Sequence, residues 1–188
     1  MENPQALIFD CDGTLTNSMP LHYRAWRQVL DSIDIPFTEK RFYELAGMPG
    51  SKVFADVAGD KFSEEQVESL LADREALFFD LLDEIEPISA VVQIAKSSHG
   101  QMPMAVASGS IRDSVDRQLA TLGIADLFDA IVTAEDTQRH KPEPDVFLEA
   151  ARLLNVAPEV CRVYEDSDLG IEAAKRAGMS WVDVRPLY

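Results

Sequence analysis

A chain of 188 residues with 33 acidic against 17 basic side chains, a formal charge of −16, has room for one domain with a full core and a modest insertion. That charge excludes a nucleic-acid backbone or an anionic membrane surface as partner. It also repels a small phosphate, so an anionic substrate requires a local positive field from a metal, a lysine or backbone N–H groups.

The apolar runs, such as LIF and MAVA, are too short to span a bilayer, and MENPQALIFD lacks the basic flank of a signal peptide. A soluble, cytoplasmic protein is expected. Cys11 and Cys161 form no CxxC pair, which predicts free thiols and neither a disulfide scaffold nor a zinc site. With no coiled-coil seam or long exposed strand pattern, a monomer is expected.

In chain order, ALIFD is a short buried strand. From Pro20 to about Asp83 the pattern is helical throughout: PLHYRAWRQVLDSI, TEKRFYELAG, SKVFADVAG and SEEQVESLLADREALFFDLLDEI, with Ser63 and Gln66 spaced as a capping box. Beyond it, helices and strands alternate. ISAVVQIAKSS is a helix, PMAVASG a strand, IRDSVDRQLATLG a helix ended by Gly123, and DAIVTA a strand. PDVFLEAARLLN is a helix, CRVYED a strand, LGIEAAKRAG a helix ended by Gly178, and SWVDV the last strand. Such alternation predicts the α/β class, a Rossmann-like, doubly wound parallel sheet with helices on both faces. The all-helical block is then a small insertion after the first strand, residues 16–86, between core segments 1–15 and 87–188. Its junctions fall near Thr14 to Met19 and Glu84 to Ser89, where Glu86-Pro87 breaks the helical pattern.

Open α/β sheets bind ligands at the carboxyl ends of their strands. That rule selects Asp10 at the end of the first strand, Ser108 and Gly109 at the end of the second, Lys141 in the loop beyond the third, and Glu165 and Asp166 at the end of the fourth. In DCDGT, Asp10 and Asp12 share one edge of the chain while Cys11 points away, and Gly13 permits a sharp turn. Asp10, Asp12, Glu165 and Asp166 form an oxygen donor set suited to a hard divalent cation, with Mg²⁺ the natural candidate. Ser108, Lys141 and the N–H groups around Gly109 form a nest for phosphate oxygens. Together these suit phosphoryl transfer, in which an aspartate can act as nucleophile.

Each feature has an alternative. The acid pair resembles a calcium loop, but an EF-hand has its glycine at the sixth position, whereas Gly13 is fourth counting from Asp10. A cysteine phosphatase would need an arginine six positions after Cys11, where Asn17 stands, so packing is the role assigned to the thiol. Ser108 has an ordinary turn as its alternative, and Lys141 a surface position before a helix capped by Asp145. Glu165 and Asp166 are also placed to favour a helix N-terminus through its dipole.

The residues IFDCDGT, VASGS, HKPEPD and VYEDSDLGIEAAKRAGM, in that order, resemble the four motifs of the haloacid dehalogenase superfamily, in its phosphatase and phosphoglucomutase branch. The resemblance implies Asp10 as nucleophile and Asp12 as general acid and base. It implies Ser108 and Lys141 as phosphoryl ligands, and Asp10, the Asp12 carbonyl and Asp166 as Mg²⁺ ligands with Glu165 nearby. The helical insertion resembles the small cap of that family. HGQMPMAVASGS and the segment from Cys161 to Arg185 are similar to small bacterial sugar-phosphate phosphatases, including those acting on fructose 1-phosphate. LHYRAW is similar to the phosphoglucomutases and places His22 and Trp26 as substrate contacts; the basic cap residues of those mutases have no match in LAGMPGSKVF, the loop of Gly47. Arg74, Arg24 and Lys52 are cap charges placed either to contact substrate or to face solvent. The expected activity is a Mg²⁺-dependent phosphatase of a small phosphorylated metabolite. The alternatives are a β-phosphoglucomutase and a non-catalytic metal- or phosphate-binding regulator.

Overall fold

The computed structural model describes residues 3–187. After strand β1 (Ala6–Phe9) come helices α1 (Met19–Ser32), α2 (Glu39–Glu44), α3 (Gly50–Ala58) and α4 (Glu64–Phe79). Then follow α5 (Ser89–Ser98), β2 (Met104–Ala107), α6 (Arg112–Thr121), β3 (Ala130–Val132), α7 (Asp145–Leu153), β4 (Cys161–Glu165), α8 (Asp168–Arg176) and β5 (Ser180–Asp183). All five strands are parallel, in the order β3-β2-β1-β4-β5.

The central strand explains the two-faced core. Alternate residues of β1 point to opposite faces, and both faces are apolar. Leu7 and Phe9 join Val91, Val115 and Leu119 of α5 and α6; Ala6 and Ile8 join Phe147, Ala150, Ala173 and Ala174 of α7 and α8. Burial on both faces is why the strand reads as a continuous apolar run. The chain winds outward through β2 and β3 and returns to β4 on the other side of β1, so the order reverses beside β1. Loops leaving β1 and β4 diverge there, opening the crevice in which such sheets bind ligands.

The four helices after β1 have a core of their own, with Trp26, Leu30, Phe37, Phe42, Val53 and Phe54 buried together. The capping box forms at the start of α4, where Ser63 and Gln66 each accept from the other's backbone N–H. The segments entering and leaving this helical block pair with each other. Asn17 N–H donates to Glu86 O (2.8 Å), Ile88 N–H donates to Leu15 O (3.0 Å), and Thr16 and Pro87 form an antiparallel bridge. Pro87 has no N–H to donate, and the two bonds fall on its neighbours instead.

One expectation at a helix start is corrected. Asp145 is the first residue of α7 and pairs with Arg139 (3.0 Å), leaving Pro144 at the cap position with no side-chain bond. The last helix begins at Asp168, capped by Ser167, whose Oγ accepts from Gly170 N–H at 3.0 Å. Among the described residues, no helix is long and apolar enough to cross a membrane.

Candidate active site

Asp10 continues the β1 ladder, its N–H donating to Tyr164 O at 3.0 Å. The chain then folds tightly, with the N–H groups of Thr14, Leu15 and Thr16 all directed at Cys11 O. This turn lifts Asp12 above the sheet and leaves Cys11 fully buried in the apolar cluster, in its expected packing role. Gly13 has φ +76°, and a Cβ there would lie 2.2 Å from Asp166 Oδ2. Glycine is required on both counts, and it lets the β4 loop close on the β1 loop.

Lys141 is not a surface lysine. Its ammonium lies 2.6 Å from both Asp10 Oδ1 and Glu165 Oε1, with 1 % of the side chain exposed. Glu165 is occupied further by Ser167, whose backbone N–H donates to Oε2 (2.6 Å) and whose hydroxyl donates to Oε1 (3.2 Å). Ligand oxygens of Asp10, Glu165 and Asp166 lie within 4.8 Å of one another. Three carboxylates against one ammonium leave an excess of negative charge in a buried place. Burial first, then the charges of Glu165 and Asp12, push the Asp10 carboxyl up to about 8 against the opposing pull of Lys141. Burial, then the charges of Glu165 and Asp10, raise Asp166 as well. An oxygen-only donor set with uncompensated charge fits a hard divalent cation, which would supply positive charge where a proton otherwise must.

Asp12 is in a different electrostatic state. Oδ1 accepts from Ser18 Oγ (2.6 Å), His22 Nε2 (2.7 Å) and Gln118 Nε2 (2.9 Å); Oδ2 accepts from Ser110 Oγ (2.6 Å). Burial opposes ionisation, but His22 and these hydroxyls outweigh it and hold the carboxyl well below the usual range. His22 is buried on α1, stacked on Phe78 with ring centroids 3.8 Å apart. Burial, together with the neighbouring Arg74 guanidinium, lowers its pKa despite Asp12. Arg74 Nη2 donates to His22 Nδ1. The neutral ring therefore carries its proton on Nε2 and donates it toward Asp12. Arg74 is buried over the Trp26 ring (5.3 Å) and also pairs with Glu75. Of the other cap charges, Arg24 is exposed and pairs with Glu84 (2.5 Å), and Lys52 is exposed.

One cavity collects most of the residues singled out in the sequence. Asp10, Asp12, Ser108, Gly109 and Asp166 line it from the sheet side, and His22, Trp26, Gly47 and Arg74 from the helical block. Lys141 and Glu165 stand behind Asp10, outside the lining. Gly109 and Gly47 meet across the opening, where a Cβ on Gly109 would lie 2.7 Å from Gly47 O. Sequence reasoning missed Ser18, Ser110 and Gln118. The signal for Gln118 was a glutamine on the apolar face of a helix, beside Val115 and Leu119, because a buried amide must find polar partners.

A doubly wound sheet with two aspartates after its central strand, two acids at the end of the neighbouring strand and a helical block above them defines a class, the haloacid dehalogenase-like hydrolases. That family matches residues 7–184, and the chain belongs to it. Among its relatives, the fructose-1-phosphate phosphatase YqaB of Escherichia coli is 39% identical over 187 residues, covering 99% of each chain. A phosphorylated carbohydrates phosphatase of Thermotoga maritima is 31% identical, over 93% of this chain and 82% of its own length. Among solved structures, a β-phosphoglucomutase from Clostridium difficile superposes with a TM-score of 0.86 at 30% identity, over 96% of this chain and 84% of that one.

Proposed function

We propose that the protein is a phosphatase of small sugar phosphates, of the fructose 1-phosphate kind, working through an aspartyl-phosphate on Asp10. The observation that carries this reading is the pairing, in one cavity, of two aspartates in opposite electrostatic states. Asp10 has no donor but Lys141 among the described residues, whereas Asp12 is wrapped in four. The first is left open to an electrophile, and the second is a positioned carboxylate whose donors return it to the ionised form after each proton transfer.

In this reading Asp10 attacks phosphorus, forming an oxygen–phosphorus bond as the ester bond to the sugar oxygen breaks. Asp12, which takes up a proton from solvent once the anionic substrate is bound beside it, delivers that proton to the departing alkoxide. The resulting Asp12 carboxylate, the form favoured by its four donors, then takes a proton from water as that water attacks the acyl phosphate and frees Asp10. Ser108 and the Gly109 N–H orient the phosphoryl oxygens, and Lys141 steadies Asp10 from behind. Mg²⁺, held by Asp10, Asp166 and the Asp12 carbonyl with Glu165 nearby, would neutralise phosphoryl charge and keep Asp10 ionised. Residues 16–86 act as a cap over a core of 1–15 and 87–188, and His22, Trp26, Gly47 and Arg74 contact the sugar.

The printed activities of the Escherichia coli and Thermotoga maritima relatives support the substrate class. A mutase reading is supported by the likeness to the Clostridium difficile enzyme and by His22 and Trp26. It is weakened by the cap, because Arg74 is the only cation lining the cavity among the described residues and is already engaged by His22 and Glu75. Phosphate release across a panel of sugar phosphates tests the first reading. With β-glucose 1-phosphate, inorganic phosphate supports the phosphatase, and accumulation of glucose 6-phosphate overturns it in favour of the mutase.

A further inference from the structure

Gln118 sits on the apolar face of α6 and is fully buried. A buried amide must satisfy both of its ends, and both are satisfied by functional partners. Its carbonyl Oε1 accepts from Thr16 Oγ1 at 2.7 Å, and its Nε2 donates to Asp12 Oδ1 at 2.9 Å. The amide has one permissible orientation, because flipping it would set its carbonyl against the Asp12 carboxylate, acceptor against acceptor. Ser114 Oγ, at 3.5 Å from Nε2, is too distant to compete.

Thr16 belongs to the segment that enters the helical block and is bridged to Pro87 on the segment that leaves it. These two segments are the covalent connections between the block and the sheet, and the Thr16 hydroxyl ties them to the amide. The amide in turn bears on an unequally loaded carboxylate. Asp12 Oδ1 receives three donors and Oδ2 one. A proton placed on Oδ1 would displace one of those bonds, so Oδ2 is the oxygen available to carry it.

We propose that Gln118 is a positioning residue that couples the paired linkers to Asp12, fixing the carboxylate rotation that presents Oδ2 to the leaving group. This rests on the reading of Asp12 as the general acid.

The test compares kcat/KM for fructose 1-phosphate, whose alkoxide leaves only with a proton, and for p-nitrophenyl phosphate, whose phenolate needs none. Gln118→Leu is expected to lower the first by about ten- to a hundredfold, the scale of one lost charge-assisted hydrogen bond, and the second by less than about threefold. Thr16→Val, which keeps the side-chain shape and removes the hydroxyl, is expected to show the same selectivity. It carries the test should Gln118→Leu fail to fold. The double variant is expected to be no worse than the poorer single one, since the two act as a unit. Equal losses on both esters, or additive losses in the double variant, would overturn the proposal while leaving the phosphatase reading intact. A wild-type enzyme that releases no phosphate from any sugar phosphate would overturn both.

Discussion

The ammonium of Lys141 stands 2.6 Å from Asp10 Oδ1 and equally close to Glu165 Oε1, out of contact with solvent. One lysine thus holds together the residues that follow β1 and end β4, on the two sides of the crevice. Its own pKa is raised, since the attraction of both carboxylates outweighs the cost of burial. With its charge divided between two acids, it steadies the site without making it positive, and the remaining attraction for an anion must come from a bound cation and from N–H donors.

Asp10→Asn preserves shape and removes the nucleophile. Phosphate release is expected to fall by at least about a thousandfold, with an unchanged circular dichroism spectrum. Retained activity in that variant would sink the assignment of Asp10.

Stability without metal is expected to fall as pH rises from about 4 to about 8. Asp10 is raised from 3.8 to about 8 in the folded protein, so within that window the folded state holds a proton that the unfolded state has lost, and raising the pH favours unfolding. Asp166 shifts in the same direction. Asp12 is lowered, and its stabilising contribution is present above about 4 and lost in stronger acid. Thermal melts in chelator should therefore show Tm declining across the window. Added Mg²⁺ should restore it most at the alkaline end and release protons measurable in weakly buffered solution. A Tm that rises with pH in chelator would contradict the burial of an unneutralised acid cluster.

Gly13→Ala is expected to weaken Mg²⁺ binding more than it weakens the fold. The new methyl would meet Asp166 Oδ2 at 2.2 Å, at a φ of +76° that a side chain rarely adopts. The acid must swing away from the cluster as the turn strains, at a cost of about 1–3 kcal/mol for the backbone. Titration calorimetry with Mg²⁺ measures the loss, and unchanged affinity would contradict the close approach of the two loops.

Arg74→Met removes the donor to His22 Nδ1 and retains an apolar chain against Trp26 and Phe78. The imidazole is then free to exchange tautomers, and kcat is expected to drop about tenfold with a smaller change in KM. Nitrogen NMR of the ring reads the tautomer directly. A ring still protonated on Nε2 alone would show that Arg74 does not set it.

What the sequence by itself determined was the fold and the acids of the site. Two-faced apolar strands alternating with helices admit a doubly wound sheet, and in a parallel sheet every strand end points the same way, so DCDGT, VASGS, KPEPD and YEDSD were brought to one edge by topology alone. The tertiary structure decided which charges meet. Lys141 and Arg74 carry no local mark distinguishing a buried lysine or arginine from an exposed one, and their roles follow from the Asp10–Glu165 pair and from His22 and Trp26, which come from distant parts of the chain. Gln118 lies 106 residues from the aspartate it holds. A single polar residue on a helix has no spacing to betray its partner, and only the packing of α6 against the β1 loop assigns one.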